Sequence, residues 1–266
     1  MRNPRKAWRT LTAVALVTVS VVGGVAAPAH AATNYTALGD SYSSGVGTRE
    51  YYADSGGCQR SPRAYPVVDA GRIGATLTFV ACAGATTTGI MNGQLGGLNA
   101  ATNYVTVTAG GNDLNWTQVI IQCAKPWPYT CWGDIDRAEN FMRNNLPGLL
   151  DQLYSAIKAK APNARIIAVG YPRLFNGEEC NVIARISPGE QARLNSAADL
   201  LATTIQGRAA ANGIVFVDAR PAYNGHAVCD DVEWINGTSW PIGESYHPNR
   251  SGQTGYAGIV EAALRG

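Results

Sequence analysis

The segment YTALGDSYS at residues 35–43 decides the fold, because a short apolar run enters a glycine turn that leads to a serine. Residues Tyr35–Leu38 are typical of a strand, and Gly39 predicts a tight turn after it. The turn would place Ser41 at the start of a helix, where its hydroxyl is well presented as a nucleophile. A helix N-terminus also favours an oxyanion beside it. The triplet GDS is common in ordinary turns, so this segment alone leaves that interpretation open.

Four further runs are short, rich in β-branched or other apolar residues, and mostly followed by glycine or a small-residue turn. They are Ala75–Cys82, Tyr104–Thr108, Arg165–Val169 and Ile214–Asp218. Nearly continuous apolarity predicts strands that are buried on both faces, which is typical of a parallel sheet.

Helical patterns lie between several of these strands. Residues Asp134–Lys160 place apolar side chains on one face, with Pro147 marking a break or a restart. Residues Ser187–Ala211 begin with a serine N-cap, and a last helix spans about 251–264. Strands alternating with helices predict an α/β fold, a three-layer α/β/α sandwich around a five-stranded parallel sheet. Ligands of such sheets bind outside the carboxyl ends of the strands.

Two more strand ends carry candidates for an oxyanion site. The second strand is followed by Gly84, which is either an unhindered backbone N–H donor or an ordinary turn glycine. The third strand is followed by AGGND at residues 109–113, where Asn112 offers a neutral amide donor suited to an oxyanion. Asn112 or Asp113 is equally suited to an Asx turn or a helix cap.

A serine nucleophile needs a base, which is usually a histidine because its pKa lies near neutrality. Beyond residue 31 the chain has two histidines, His226 and His247. His247 is favoured, because Pro248 and the last helix fix its loop. The GxSxG elbow of α/β-hydrolases is absent at Ser41, since residue 43 is serine, and there is no Walker loop.

Residues 1–31 are predicted to be a signal peptide. Four basic residues precede an apolar run at 11–27, and the small-residue triplet Ala29-His30-Ala31 follows, with cleavage expected after Ala31. The apolar run is shorter than the ~20 residues of a membrane span. Without these four basic residues the net charge changes from +2 to −2, which argues against a nucleic-acid partner. The protein is therefore expected to be secreted and extracellular.

The part of the chain that would remain, 32–266, is expected to be a single domain, because no linker, charge block or repeat divides it. All six cysteines lie in it and predict three disulfides, with sequential pairing favoured among 15 possible connectivities. The pairs would be Cys58 with Cys82, Cys123 with Cys131, and Cys180 with Cys229. No CxxC pair and few histidines argue against zinc, and no metal or organic cofactor is expected.

Four motifs occur in a characteristic order: GDS at 39–41, Gly84, GND at 111–113 and HPN at 247–249. In this order the chain resembles the SGNH, or GDSL, hydrolases, and especially the secreted actinomycete lipases, esterases and phospholipases A1. The resemblance implies a flavodoxin-like SGNH fold and a serine ester hydrolase. It also implies that Ser41 attacks the ester and that His247 accepts its proton. The oxyanion would be held by the N–H groups of Ser41 and Gly84 and by the Asn112 amide.

One position departs from the family pattern. The family often has an aspartate three residues before the histidine, where this chain has Glu244. Either the Glu244 carboxylate reaches Nδ1 of His247, or the carbonyl of Ser245 orients the ring instead. The carbonyl is favoured, with Glu244 turned outward to water, because the longer glutamate swings out of a tight turn more easily.

The motifs do not name the substrate, but two features suggest a lipid ester. If Cys123 and Cys131 pair, their loop displays Trp127 and Tyr129, aromatic residues typical of lipid–water interfaces, unless both rings cover the core. Tyr42 and Val46 are expected to line an acyl cleft. The alternatives are a carbohydrate or short-chain acyl esterase, and a non-catalytic secreted binding module with the same fold. The partners expected are an ester substrate and lipid aggregates, and a monomer is the expected state.

Overall fold

The computed structural model describes residues 33–126, 128–180 and 185–266. Within them, five strands form one parallel sheet in the order β2-β1-β3-β4-β5. The strands are β1 Thr33–Gly39, β2 Ala75–Phe79, β3 Tyr104–Thr108, β4 Arg165–Val169 and β5 Val215–Val217. The predicted signal peptide at 1–31 and the predicted interfacial residue Trp127 lie outside the described residues.

Eight α-helices lie in these described ranges. They are α1 Ser41–Ser44, α2 Tyr65–Ile73, α3 Thr87–Gly93, α4 Trp116–Cys123, α5 Trp132–Asn144, α6 Leu146–Lys160, α7 Pro188–Ala211 and α8 Arg250–Arg265. The chain moves from β1 to β2 in one direction and then from β2 to β3, β4 and β5 in the other. Since such crossovers are right-handed, α2 covers one face of the sheet and α3–α7 cover the other, and α8 packs beside α2. The predicted three-layer fold is confirmed.

The direction of winding reverses between β1 and β3. At such a switch point the connections leave in opposite directions and open a crevice at the carboxyl ends of the two strands. Ser41 follows β1 and Asn112 follows β3, so the fold brings these two predicted residues to the same crevice.

The structure differs from the sequence prediction at strand β2. Strand β2 ends at Phe79 rather than Cys82, because the N–H groups of Val80 and Ala81 both donate to the Ala37 carbonyl and the regular pairing stops. It is an edge strand with alternately exposed residues, so burial on both faces was a wrong prediction for β2. The helical pattern 134–160 forms two helices with Pro147 in the first turn of the second, so the break or restart predicted at Pro147 is confirmed.

Three disulfides tie the loops to this framework, in the sequential order favoured above. They join Cys58 to Cys82, Cys123 to Cys131, and Cys180 to Cys229. The first holds the segment before α2 against the end of β2, and the second closes the loop between α4 and α5. Each such bond typically contributes about 2–4 kcal/mol by restricting the unfolded chain. In the described part of the chain, no helix has the length and apolarity to cross a bilayer.

Candidate active site

The serine turn is shaped by Gly39 and Asp40. Gly39 has a φ of 129°, and a Cβ there would lie 2.7 Å from the Thr108 carbonyl of β3, so only glycine fits. Asp40 caps the short helix α1, because its Oδ1 accepts a hydrogen bond of 2.9 Å from the Tyr42 N–H. Ser41 is thereby held as the first residue of α1 beside the crevice.

His247 contacts Ser41 directly. Its Nε2 lies 2.8 Å from Oγ of Ser41, and its Nδ1 lies 3.0 Å from the carbonyl oxygen of Ser245. A carbonyl oxygen can only accept, so Nδ1 carries the proton in the neutral ring. Nε2 is then free to accept the proton of the serine hydroxyl. This chain of hydroxyl, imidazole and carbonyl groups is the arrangement that nucleophilic catalysis by a serine requires.

The backbone conformation of Tyr246 directs the Ser245 carbonyl back toward His247. Tyr246 has a φ of 60°, in the left-handed region that non-glycine residues rarely adopt. Its N–H donates to the Asn236 carbonyl at 2.8 Å, and its own carbonyl accepts from the Tyr42 hydroxyl at 2.8 Å. Strained residues of this kind persist where surrounding contacts fix them, and they concentrate at functional sites.

Glu244 does not contact His247. Its Oε1 accepts a 2.7 Å hydrogen bond from the Tyr51 hydroxyl, and its Oε2 lies 3.7 Å from Nε of Arg49. The residue is 2% exposed, so the expectation that Glu244 turns outward to water is also wrong. The atom in contact with Nδ1 is the Ser245 carbonyl oxygen. The carboxylate contacts the loop that carries Arg49 and Tyr51 instead.

The three predicted oxyanion donors follow three different strands: Ser41 follows β1, Gly84 follows β2 and Asn112 follows β3. Nδ2 of Asn112 donates to the Ala85 carbonyl at 3.1 Å, which places this amide beside the turn of Gly84 and leaves its second N–H free for a ligand. Among the described residues, neither the Ser41 N–H nor the Gly84 N–H donates to a protein acceptor. The start of helix α3 is bound by Asp113 rather than by Asn112. The Asp113 carboxylate accepts hydrogen bonds from the N–H and the hydroxyl of Thr87.

A cavity of about 550 Å³ opens beside Ser41 and His247. Most of its lining is apolar and comes from α4, α7 and the loop before His247, including Ile120, Leu201 and Ile242. Of the two residues expected to line an acyl cleft, Tyr42 lines this cavity. Val46 is buried and is not among the lining residues, because it lies past α1 and faces the core.

Burial sets the protonation state of His247. Loss of solvation lowers the pKa of His247 to about 4, and the hydrogen bond to the Ser245 carbonyl offsets this only in part. The ring is therefore neutral, and able to accept a proton, throughout the neutral range. Burial also raises the pKa of Asp40 to about 7, although the Tyr171 hydroxyl donates to its carboxylate.

This low pKa predicts the pH dependence of ester hydrolysis. The base is active when neutral, so kcat/KM for a soluble p-nitrophenyl ester should be half-maximal near pH 4 and level off above it. An unburied histidine would give a midpoint near its ordinary pKa of 6.5. Measurement with the Asp40→Asn variant is the matched control, because an inflection caused by Asp40 disappears in it. A midpoint near 6.5 in both proteins would contradict the prediction.

The sequence analysis missed Tyr171 and Tyr51. Tyr171 donates to Asp40, and its oxygen accepts from the Gly111 N–H at 3.1 Å. It follows β4 closely, so the strand-end rule used for the other residues would have found it. Tyr51 lies in a loop with no such signal. His226, the second candidate base, stacks on Trp234 at 4.0 Å and does not line the cavity.

A hydroxyl hydrogen-bonded to a neutral imidazole, beside free N–H donors in an α/β/α fold, is typical of serine ester hydrolases. Residues 37–254 match the GDSL-like lipase/acylhydrolase family. The chain belongs to this family and is a carboxylic ester hydrolase, as predicted.

Similar proteins come from Streptomyces. The chain is 41% identical to Lipase 1 of Streptomyces coelicolor, covering 95% of this chain and 94% of that protein. It matches the crystal structure of an extracellular lipase from Streptomyces rimosus at 36% identity, with a TM-score of 0.83, covering 87% of this chain and 100% of that one. A phospholipase A1 from Streptomyces albidoflavus matches at 40% identity and a TM-score of 0.83, covering 87% and 99%.

Proposed function

We propose that this protein is a secreted serine hydrolase that cleaves lipid carboxylic esters, with residues 1–31 as its signal peptide and 32–266 as one catalytic domain. The observation that carries the proposal is the 2.8 Å contact between Nε2 of His247 and Oγ of Ser41 at an apolar cavity of about 550 Å³. The three disulfides and the extracellular relative support secretion.

In the proposed reaction, Oγ of Ser41 attacks the ester carbonyl carbon while Nε2 of His247 takes the hydroxyl proton. The negative oxygen of the tetrahedral intermediate is held by the N–H groups of Ser41 and Gly84 and by the Asn112 amide. The imidazolium then protonates the leaving alcohol, and an acyl-enzyme remains. Water, deprotonated by the same ring, attacks the acyl carbon of the acyl-enzyme. The imidazolium then returns the proton to Oγ of Ser41 as the bond between Oγ and the acyl carbon breaks, which releases the fatty acid.

The shape and surroundings of the cavity favour a lipid acyl chain. Its buried part includes Ala198 and Leu201 of α7, while Ile121 and Ile242 stand exposed at its mouth. Apolar walls bind a hydrocarbon chain by removing its surface from water. Tyr129 and Trp240, which are 64% and 85% exposed, offer further apolar contact with a lipid aggregate. Two relatives named lipase and one named phospholipase A1 agree with acylglycerols or phospholipids as substrates.

A substrate panel tests the proposal. The purified protein is assayed on short- and long-chain p-nitrophenyl esters, triacylglycerol, phosphatidylcholine and acetylated sugar. We expect hydrolysis of the long-chain esters and of at least one of the two lipids. Activity confined to the acetylated sugar or to the short esters would make it a carbohydrate or short-chain esterase. No activity and no labelling by a fluorophosphonate probe would leave a binding module.

The chain-length preference should depend on Ala198. The substitution Ala198→Phe fills the buried part of the cavity. We expect the ratio of kcat/KM for a palmitoyl ester to that for a butyryl ester to fall about 10- to 100-fold, because each methylene displaced from the cavity loses roughly 1 kcal/mol or more of binding free energy. The matched control is Ala192→Phe, at an exposed position of the same helix. An unchanged ratio in Ala198→Phe would show that the acyl chain binds elsewhere.

A further inference from the structure

Two loops next to the serine–histidine pair are in contact with each other. The nucleophile loop, residues 45–52, continues from α1, and the histidine loop, residues 236–249, leads into α8. Their backbones are in close contact at Gly47, where a Cβ would lie 2.5 Å from the Pro248 carbonyl and 3.0 Å from Cβ of His247. A displacement of one loop therefore moves the other.

The hydroxyl of Tyr51 joins the two loops. It accepts a 3.2 Å hydrogen bond from the Gly47 N–H within the nucleophile loop and donates a 2.7 Å hydrogen bond to Oε1 of Glu244 in the histidine loop. The Glu244 main chain is held as well, since Asn236 Nδ2 donates to the carbonyls of Gly47 at 2.9 Å and of Glu244 at 3.3 Å. Glu244 directly precedes Ser245, whose carbonyl orients His247.

The hydrogen bond between Tyr51 and Glu244 is accompanied by two features that reduce the stability of the fold. Glu244 is 2% exposed, and its Oε2 accepts no hydrogen bond from the described residues, with Arg49 at 3.7 Å as its nearest cation. Arg49 itself has a left-handed φ of 59°. A buried carboxylate with few partners and a strained non-glycine residue both reduce stability, and such features are kept mainly where function needs them.

We propose that Tyr51 and Glu244 are positioning residues whose hydrogen bond, here termed the clamp, sets the distance between Ser41 and His247. The inference rests on the proposed function. The clamp contacts neither the substrate nor the reacting atoms. It acts by fixing the position of the Ser245 carbonyl relative to the Gly47 backbone. Its role requires an acceptor at position 244 rather than a negative charge.

The test compares Tyr51→Phe, Glu244→Ala and Glu244→Gln. Because a displacement of ~1 Å can cost about 10²-fold, we expect Tyr51→Phe and Glu244→Ala to lower kcat by about 10- to 100-fold with little change in KM. Glutamine keeps the acceptor for the Tyr51 hydroxyl, so Glu244→Gln should lose less than about tenfold. The double variant Tyr51→Phe/Glu244→Ala should be no worse than either single variant, because both remove the same contact.

The neighbouring Tyr52→Phe, at a partly exposed tyrosine of the same loop, is the matched control and should match the wild type. Melting temperatures and the pH midpoint of kcat/KM are measured for every variant. Tyr51→Phe with wild-type kcat, or equal losses in Glu244→Gln and Glu244→Ala, would overturn the clamp. Full activity in Ser41→Ala would instead overturn the proposed function, so the two failures are distinguishable.

Discussion

Ser41→Ala and His247→Ala should each abolish nearly all ester hydrolysis while the protein stays folded. Alanine at 41 removes the attacking oxygen, and alanine at 247 removes the only base within hydrogen-bonding distance of it in the described residues, at 2.8 Å. Each loss should be about 10⁴-fold or more in kcat. The double variant should be no worse than either single one, because the two groups act as a unit.

The measurements are kcat and KM on a soluble ester, labelling by a fluorophosphonate probe, and the melting temperature. His226→Ala is the control, since this ring stacks on Trp234 and its Nδ1 contacts the Val232 carbonyl at 2.7 Å. It should retain wild-type turnover. If His247→Ala were fully active, the base would have to be His226, or the proposed serine–histidine mechanism would fail.

The sequence predicts the sheet and the carboxyl ends of β1 and β3 well, because these features have local causes. Continuous apolarity over residues 104–108 and 165–169 identifies central strands that are buried on both faces. The helix at 188–211 begins as its capping pattern predicts, with Ser187 and Glu190 bonded to each other's backbone. The rule that ligands bind at carboxyl ends of strands then suffices to bring Ser41 and Asn112 together.

The same reasoning fails for Glu244 because the position of its carboxylate depends on a distant segment. Spacing along the chain gives its separation from His247, but its partner Tyr51 lies 193 residues away in a loop without periodicity. The cavity is unpredictable for a similar reason. Its walls come from α4, α7 and the loop before His247, and each wall residue alone is an ordinary apolar residue of its element. Only packing shows that they enclose one space.

The burial of His247 also cannot be predicted from the sequence. A histidine before a proline and a helix gives no indication of whether desolvation or a hydrogen bond dominates its pKa. In the fold, Tyr42 packs against the ring with centroids 5.4 Å apart, and the Ser245 carbonyl oxygen lies 3.0 Å from Nδ1. The first contact lowers the pKa by excluding water and the second raises it more weakly, so the net shift is downward.

Asn112→Ala should be the most damaging change outside the serine–histidine pair. The Asn112 amide has one N–H bound to the Ala85 carbonyl and a second directed to no protein acceptor among the described residues. A neutral donor held in this way stabilises an oxyanion more than the less charged ester carbonyl, so its loss should act on kcat more than on KM. We expect kcat to fall about 10²- to 10³-fold, or roughly 2.7–4 kcal/mol of barrier.

Two further variants define the cause of this loss. Asn112→Asp keeps the size of the side chain but replaces the donor by a carboxylate, so it should be at least as inactive as Asn112→Ala, because a negative group repels the developing oxyanion. Asn163→Ala removes an exposed asparagine at the opposite, amino end of the sheet, just before β4, and should leave kcat unchanged. A loss in Asn112→Ala that appeared only as a higher KM would mean that the amide binds the ground-state ester equally well. The oxyanion would then be held by the N–H groups of Ser41 and Gly84 alone.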